Sequence, residues 1–193
     1  MIYRNAAIAD IPKVQSLQQK YHIASIREED KKNGFVTTLF TAEQLRELIE
    51  RENGISLACD GENVVAYAMA GSWDYWSKWP LFQYMIADLP NTTYLGRTLT
   101  KENSYQYGPV CIDMAYRGQG ILEALFHFST YQIRAKYPVL ITFINRMNER
   151  SFAAHTKKVG LDVIKQFSFN GNDYYELGYD TAKAMLRPDD QMK

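Results

Sequence analysis

The chain has only two cysteines and three histidines, and its formal charge sums to zero. Cys59 and Cys111 stand alone in strand-like runs with no metal-ligand spacing around them. They read as buried reduced thiols, and no metal is expected. The 22 basic residues are matched by 22 acidic ones, which leaves no footprint for a nucleic-acid or membrane-surface partner. No apolar stretch nears the ~18–20 residues of a membrane span. The opening Met1-Ile2-Tyr3-Arg4-Asn5 lacks the charged-then-apolar layout of a secretory signal, so a soluble cytoplasmic protein is expected. Repeats and low-complexity segments are absent as well. Two nucleotide signatures are also missing: Glu123 stands where a dinucleotide fingerprint needs its third glycine, and no Gly-Lys-Ser/Thr follows to make a phosphate loop.

What is present suits one α/β domain over residues 1–180 with a tail at 181–193; of the 193 residues, 46% are apolar and 23% charged. Ile2-Tyr3-Arg4 is a strand candidate, and Ile11, Val14, Leu17 and Tyr21 line one helix face after Asp10. Arg27 to Gly34 is charged and punctuated, as expected of a loop bordering a binding site. Thr41 and Gln44 form a capping-box pattern for a second helix, with Gly54 as its left-handed stop. A hairpin follows through Asp60-Gly61. Residues 72–103 then crowd in Trp73, Tyr75, Trp76, Trp79, Phe82 and Tyr84, with a short helix expected from Pro80.

Tyr105 to Ile112 resumes a strand, the fourth. The best helix begins at Ile121 and ends near Lys136, before Pro138. Val139 to Ile144 is a continuous run suited to a strand covered on both faces. Strand, helix, strand implies a parallel crossover here. Asn148 caps a further helix carrying Phe152, His155 and Val159 on one face, stopped by Gly160. Asn170-Gly171 joins two last strands as a hairpin.

The run Tyr116-Arg117-Gly118-Gln119-Gly120-Ile121-Leu122 lies between the fourth strand and the best helix. The first N–H groups of a helix lack intrahelical partners, and glycine lets a diphosphate approach them without meeting a Cβ. Arg117 adds a permanent charge at that mouth. A glycine turn serving only chain reversal is the alternative.

The element order, with an Arg-Gly-x-Gly turn after the fourth strand, resembles the GNAT superfamily of acyl-CoA-dependent N-acetyltransferases from about Ile2 to Gly178. The family's Arg/Gln-x-x-Gly-x-Gly/Ala motif falls on Arg117-Gly118-Gln119-Gly120-Ile121-Leu122, and Leu122 departs from the small residue expected there. It either crowds the pyrophosphate or points into the core. A second likeness, Asn148-Glu149-Arg150-Ser151 followed by His155 and Val159-Gly160-Leu161, is similar to the family's Asn-x-x-Ala/Ser helix, with imperfect spacing.

The resemblance implies a mixed, mostly antiparallel sheet flanked by helices, with acetyl-CoA lying between the splayed fourth and fifth strands. Main-chain groups of Val110, Cys111 and Ile112 would pair with pantetheine, the turn from Arg117 to Leu122 would hold the diphosphate, and Asn148 would meet a pantetheine amide or simply cap its helix. His155 falls near the family's general-acid position, with Tyr107 as the alternative and a hydrogen-bonded core residue as the blander reading. No carboxylate lies in the fourth strand, although Glu102 precedes it and Asp113 follows, so the base is open. The expected acceptor is a small-molecule or peptide amine, attacked directly without an acyl-enzyme. The tryptophans of 72–103 would wall the acceptor pocket, or pack a local helix or a homodimer seam. The rival reading is a non-catalytic acyl-CoA sensor or assembly protein that kept the groove and lost its proton carriers.

Overall fold

The computed structural model describes residues 1–185, with the backbone alone at Lys32 and Asn33. The strands are β1 (Ile2–Asn5), β2 (Ile55–Asp60), β3 (Asn63–Gly71), β4 (Thr93–Tyr94), β5 (Arg97–Thr98), β6 (Ser104–Ile112), β7 (Val139–Asn145), β8 (Asp162–Phe169) and β9 (Asn172–Asp180). The helices are α1 (Ile11–Tyr21), α2 (Ala42–Glu52), α3 (Trp73–Trp76), α4 (Pro80–Asp88), α5 (Ile121–Ile133) and α6 (Glu149–Lys157). Seven strands form one sheet in the order β1-β2-β3-β6-β7-β9-β8, and β4 and β5 make a separate two-stranded ribbon. The expected fourth and fifth strands are therefore β6 and β7. Their pairing is parallel, and the sheet's other pairings are antiparallel.

The two faces bury separate cores. Ile11, Val14 and Leu17 of α1, Leu45 and Leu48 of α2, and Trp73, Trp76 and Phe82 pack on one face with Leu57, Tyr67 and Ile141. Ile121, Leu125 and Phe126 of α5 pack on the other with Tyr105, Tyr107, Leu140 and Leu177. β7 thus feeds both layers, as its unbroken apolar run requires. Each fully buried leucine contributes roughly 1.5–3 kcal/mol by leaving water.

Local signals mostly operate as expected. Thr41 Oγ1 accepts from the Gln44 N–H, and Gln44 Oε1 accepts from the Thr41 N–H. Asn170 and Gly171 both have positive φ, as a two-residue hairpin turn demands. The stop of α2 differs from expectation: Asn53 takes the left-handed position, at φ +50°. Gly54 is needed instead for close packing, because a Cβ there would lie 2.1 Å from the Ala70 carbonyl oxygen. Residues 28–33 form a 3-10 helix rather than an open loop.

Thr181 and Ala184, expected in a loose tail, are buried. The Thr181 hydroxyl donates to the Tyr137 carbonyl, and Arg134 donates to the Ala184 carbonyl, so the chain is tied down through 184. The rest of the expected tail, residues 186–193, lies outside the described residues. Among the described residues no helix is long and apolar enough to cross a membrane.

Candidate functional site

β6 and β7 pair at only three positions, Ser104↔Val139, Tyr105↔Leu140 and Gln106↔Ile141. Both strands continue, to Ile112 and Asn145, but apart. The register between β3 and β6 shifts at the same level, between Ala68 and Ala70, so β6 stays bound to β3 while its other edge turns away from β7. A groove of about 400 Å³ opens beside that free edge, lined by Val110, Cys111 and Ile112 of β6, the turn before α5, and the α6 face carrying Arg150, Ser151, Ala154 and His155.

At one end of this groove the glycine turn enters α5. Gly118 and Gly120 have φ of +80° and +77°, and a Cβ on either would meet nothing within 4 Å. Their glycine identity is set by backbone conformation, with open space in front of it. The first helical bond runs from the Ala124 N–H to the Gly120 carbonyl. The N–H groups of Ile121, Leu122 and Glu123 therefore precede the helix's own ladder.

The cradle does not begin at Arg117, whose N–H donates to the Met114 carbonyl. Its side chain is placed instead: Nε donates to the Ile112 carbonyl at 2.9 Å, and the guanidinium lies over the Tyr21 ring. Gln119 does not line the groove, and its side-chain amide donates to the Ala115 carbonyl. Leu122 is buried among the α5-side core and borders the groove, so it does not block the cradle.

Asn148 Oδ1 accepts from the Ser151 N–H, which is the capping role. Its Nδ2 makes no hydrogen bond among the described residues and remains a donor at the groove wall. Gly34, Phe35 and Val36, which follow the 3-10 helix, also line the groove. A Cβ on Gly34 would lie 3.6 Å from Asn148 Oδ1, so these two parts of the lining nearly touch.

His155 is buried at the groove wall. Its Nδ1 lies 2.8 Å from the Ser151 carbonyl oxygen, which only accepts, so Nδ1 carries the proton. Nε2 is left with a lone pair and no partner among the described residues. Burial pulls the imidazole below its ordinary range, so the ring is neutral at pH 7. In this tautomer Nε2 is the nitrogen able to accept a proton.

Tyr107 is fully buried and does not line the groove. Its ring meets Phe126 and His155 edge-on, and burial holds its hydroxyl well above the usual phenol range, which removes it as the alternative proton carrier. Cys111 is a free, buried thiol pushed up to about 12 by desolvation, so it is no nucleophile.

The aromatic segment does not reach the groove. Trp73 and Trp76 are fully buried, Trp76 packs against Phe40, Trp79 and Phe82, and Phe82 packs against Phe143 of β7. The segment forms core, as a local packing role requires.

The sequence reading gave no site role to Arg150, Lys157 or Lys158, which bring three more cations to the groove. It also missed Glu176, the buried carboxyl of β9 opposite Phe143, which desolvation raises to about 7. Lys165, bonded to Asp88 and Thr92 of the aromatic segment, lies 3.8 Å from it.

A splayed parallel pair, a glycine-entered helix and a mixed seven-stranded sheet together define the fold of the GNAT acetyltransferases. Solved structures share it over nearly the whole chain. A ribosomal-protein-alanine N-acetyltransferase from Brucella melitensis is 20% identical with a TM-score of 0.62, covering 93% of this chain and 99% of its own. The protein yncA from Salmonella typhimurium, solved with its cofactor acetyl-CoA, is 14% identical with a TM-score of 0.62 and 94% of each chain covered. A Desulfovibrio desulfuricans protein assigned to the GNAT family is 12% identical with a TM-score of 0.60, covering 93% and 98%. No family model matches the sequence, and no curated protein matches it.

Proposed function

We propose that the groove binds acetyl-CoA and that the protein transfers its acetyl group to a primary amine of a small molecule or peptide. The observation that carries this reading is the early end of β6–β7 pairing beside a groove that runs to the glycine turn of α5. An extended pantetheine arm fits the unpaired edge of β6 as an added strand would, through main-chain groups of Val110 to Ile112. Asn148 Nδ2 donates to an amide carbonyl of that arm. The α5 N-terminus and Arg117 take the diphosphate. Among the relatives, the Salmonella protein holds acetyl-CoA and the Brucella protein is described as acting on an alanine of a ribosomal protein, which favours an amino group as acceptor.

The bound thioester supplies an electrophilic carbonyl carbon, and a main-chain N–H of the free β6 edge stabilises the charge that grows on its oxygen as the amine attacks. A donor so placed is worth about 2.7–4 kcal/mol in other enzymes. His155 Nε2 receives the proton that the amine loses and passes it to the departing sulfur. One residue thereby serves as base and then as acid, a step worth roughly 10²–10⁴ in rate.

One observation favours the sensor reading: the groove lining contains a single carboxylate, Glu123, in the first turn of α5 beside the glycine turn. Calorimetry with acetyl-CoA tests the groove, and thiol release with a panel of primary amines and free-N-terminus peptides tests turnover. Binding with turnover supports transfer, binding without turnover across the panel supports the sensor, and absence of binding overturns both.

A further inference from the structure

Two of the groove's cations come from different elements. Arg117 stands in the turn before α5, held by the Ile112 carbonyl and the Tyr21 ring, and Arg150 stands in the first turn of α6. Both line the same cavity. They are close enough that Arg150, after burial, is the next largest influence lowering the pKa of Arg117. Two like charges this near each other cost energy in the empty protein, and among the described residues Arg150 has no acidic partner to offset this. An arrangement of this kind is relieved by an anion with charge to offer both sides.

Resting on the acetyl-CoA reading, we propose that Arg150 is a second phosphate ligand that closes on the cofactor's diphosphate from the α6 wall. The anion is then held between two guanidiniums, with the unsatisfied N–H groups of α5 behind one of them. Arg150 is exposed and its removal leaves no buried hole, whereas Arg117 also braces the end of β6. Arg150 thus contributes affinity without contributing to the fold.

The test is calorimetry of wild type, Arg150→Ala and Arg150→Lys with CoA, dephospho-CoA and pantetheine. The expected result is a loss of tenfold or more for Arg150→Ala with CoA and an equal loss with dephospho-CoA, with partial recovery in Arg150→Lys. Pantetheine affinity should not change, the melting temperature of the ligand-free protein should not fall, and the salt dependence of CoA binding should flatten. Wild-type affinity in Arg150→Ala overturns the clamp while leaving the cofactor reading intact. A loss seen with CoA but absent with dephospho-CoA also overturns it, because Arg150 would then serve the 3′-phosphate. Failure of the wild-type protein to bind CoA at all is a different outcome and overturns the acetyl-CoA reading beneath it.

Discussion

Gln106 and Ile141 are the last residues that β6 and β7 hold in register. Beyond them β6 keeps β3 as a partner, so only one of its edges is left unpaired. A free strand edge in a protein interior is costly unless something covers it. Acetyl-CoA should therefore slow amide exchange within Val110–Ile112, with no gain at Ser104 to Gln106, which are already paired. Hydrogen-exchange mass spectrometry or NMR with and without acetyl-CoA measures this. Unchanged exchange at all three residues would place the ligand elsewhere.

The glycines of the turn give a second prediction, separable into stability and binding. A side chain at Gly118 or Gly120 meets no atom within 4 Å, so its cost to the fold is the positive φ alone, about 1–2 kcal/mol per residue. The same side chain would occupy the space the diphosphate needs. Gly120→Val should lower unfolding free energy by about that much and reduce CoA affinity by far more than a comparably destabilising change outside the groove. Equal affinity losses in both would reduce the turn to a chain reversal.

How much of this was legible beforehand follows from the range of the interactions involved. The Thr41–Gln44 capping box, the Asn170-Gly171 turn and the Gly118/Gly120 turn are set by neighbours a few residues apart, and the residues themselves announce them. The role of Gly54 depends on Ala70, in another element, and no local pattern carries it. Arg150 stood inside the Asn148-Glu149-Arg150-Ser151 likeness without a role of its own, because only the folded chain brings α6 to the groove that Arg117 lines. The tautomer of His155 was hidden for a subtler reason. The i−4 carbonyl of Ser151 was always within helical reach, but only burial makes that bond decide which nitrogen keeps the proton. Glu176 was illegible because Lys165 and Asp88, which face it, come from different elements.

Trp76 tests the reassignment of the aromatic segment. It is fully buried against Phe40, Trp79 and Phe82, so Trp76→Ala should cost about 3–5 kcal/mol, read as a lower midpoint in urea unfolding. Acceptor preference, measured as the ratio of turnover rates between two amines, should not change in the fraction that stays folded. A changed ratio with undiminished stability would return the segment to the acceptor pocket.

His155 yields a prediction whose sign separates base from acid. Burial lowers its pKa below the ordinary 6.5, and Nε2 is the unprotonated nitrogen. If it first accepts a proton, kcat/KM rises with pH through a value below 6.5 and levels above it. A residue that must begin as an acid gives the opposite limb, with activity falling through that range. His155→Asn should remove the limb and lower turnover by roughly 10²–10⁴, leaving CoA affinity close to wild type. A retained limb in the variant would assign it to another group and remove His155 as the base.

Glu176 links the aromatic segment to stability. Its carboxyl is raised from 4.5 to about 7 by desolvation, against the opposing pull of Lys165. A raised pKa means that the folded state binds the proton more tightly than the unfolded chain. The group's favourable contribution is therefore complete below pH 4.5 and is lost as pH climbs through about 7. Glu176→Gln keeps the shape of the protonated form and cannot ionise. The variant should match wild type near pH 4.5 and exceed it by up to about 3 kcal/mol at pH 8. Urea unfolding of both proteins across that range reads the difference directly, since every other titrating group cancels in the comparison. A variant that instead loses stability as pH rises would mean that the ion pair with Lys165 outweighs the cost of burying the charge, and that Glu176 rests ionised beneath the segment.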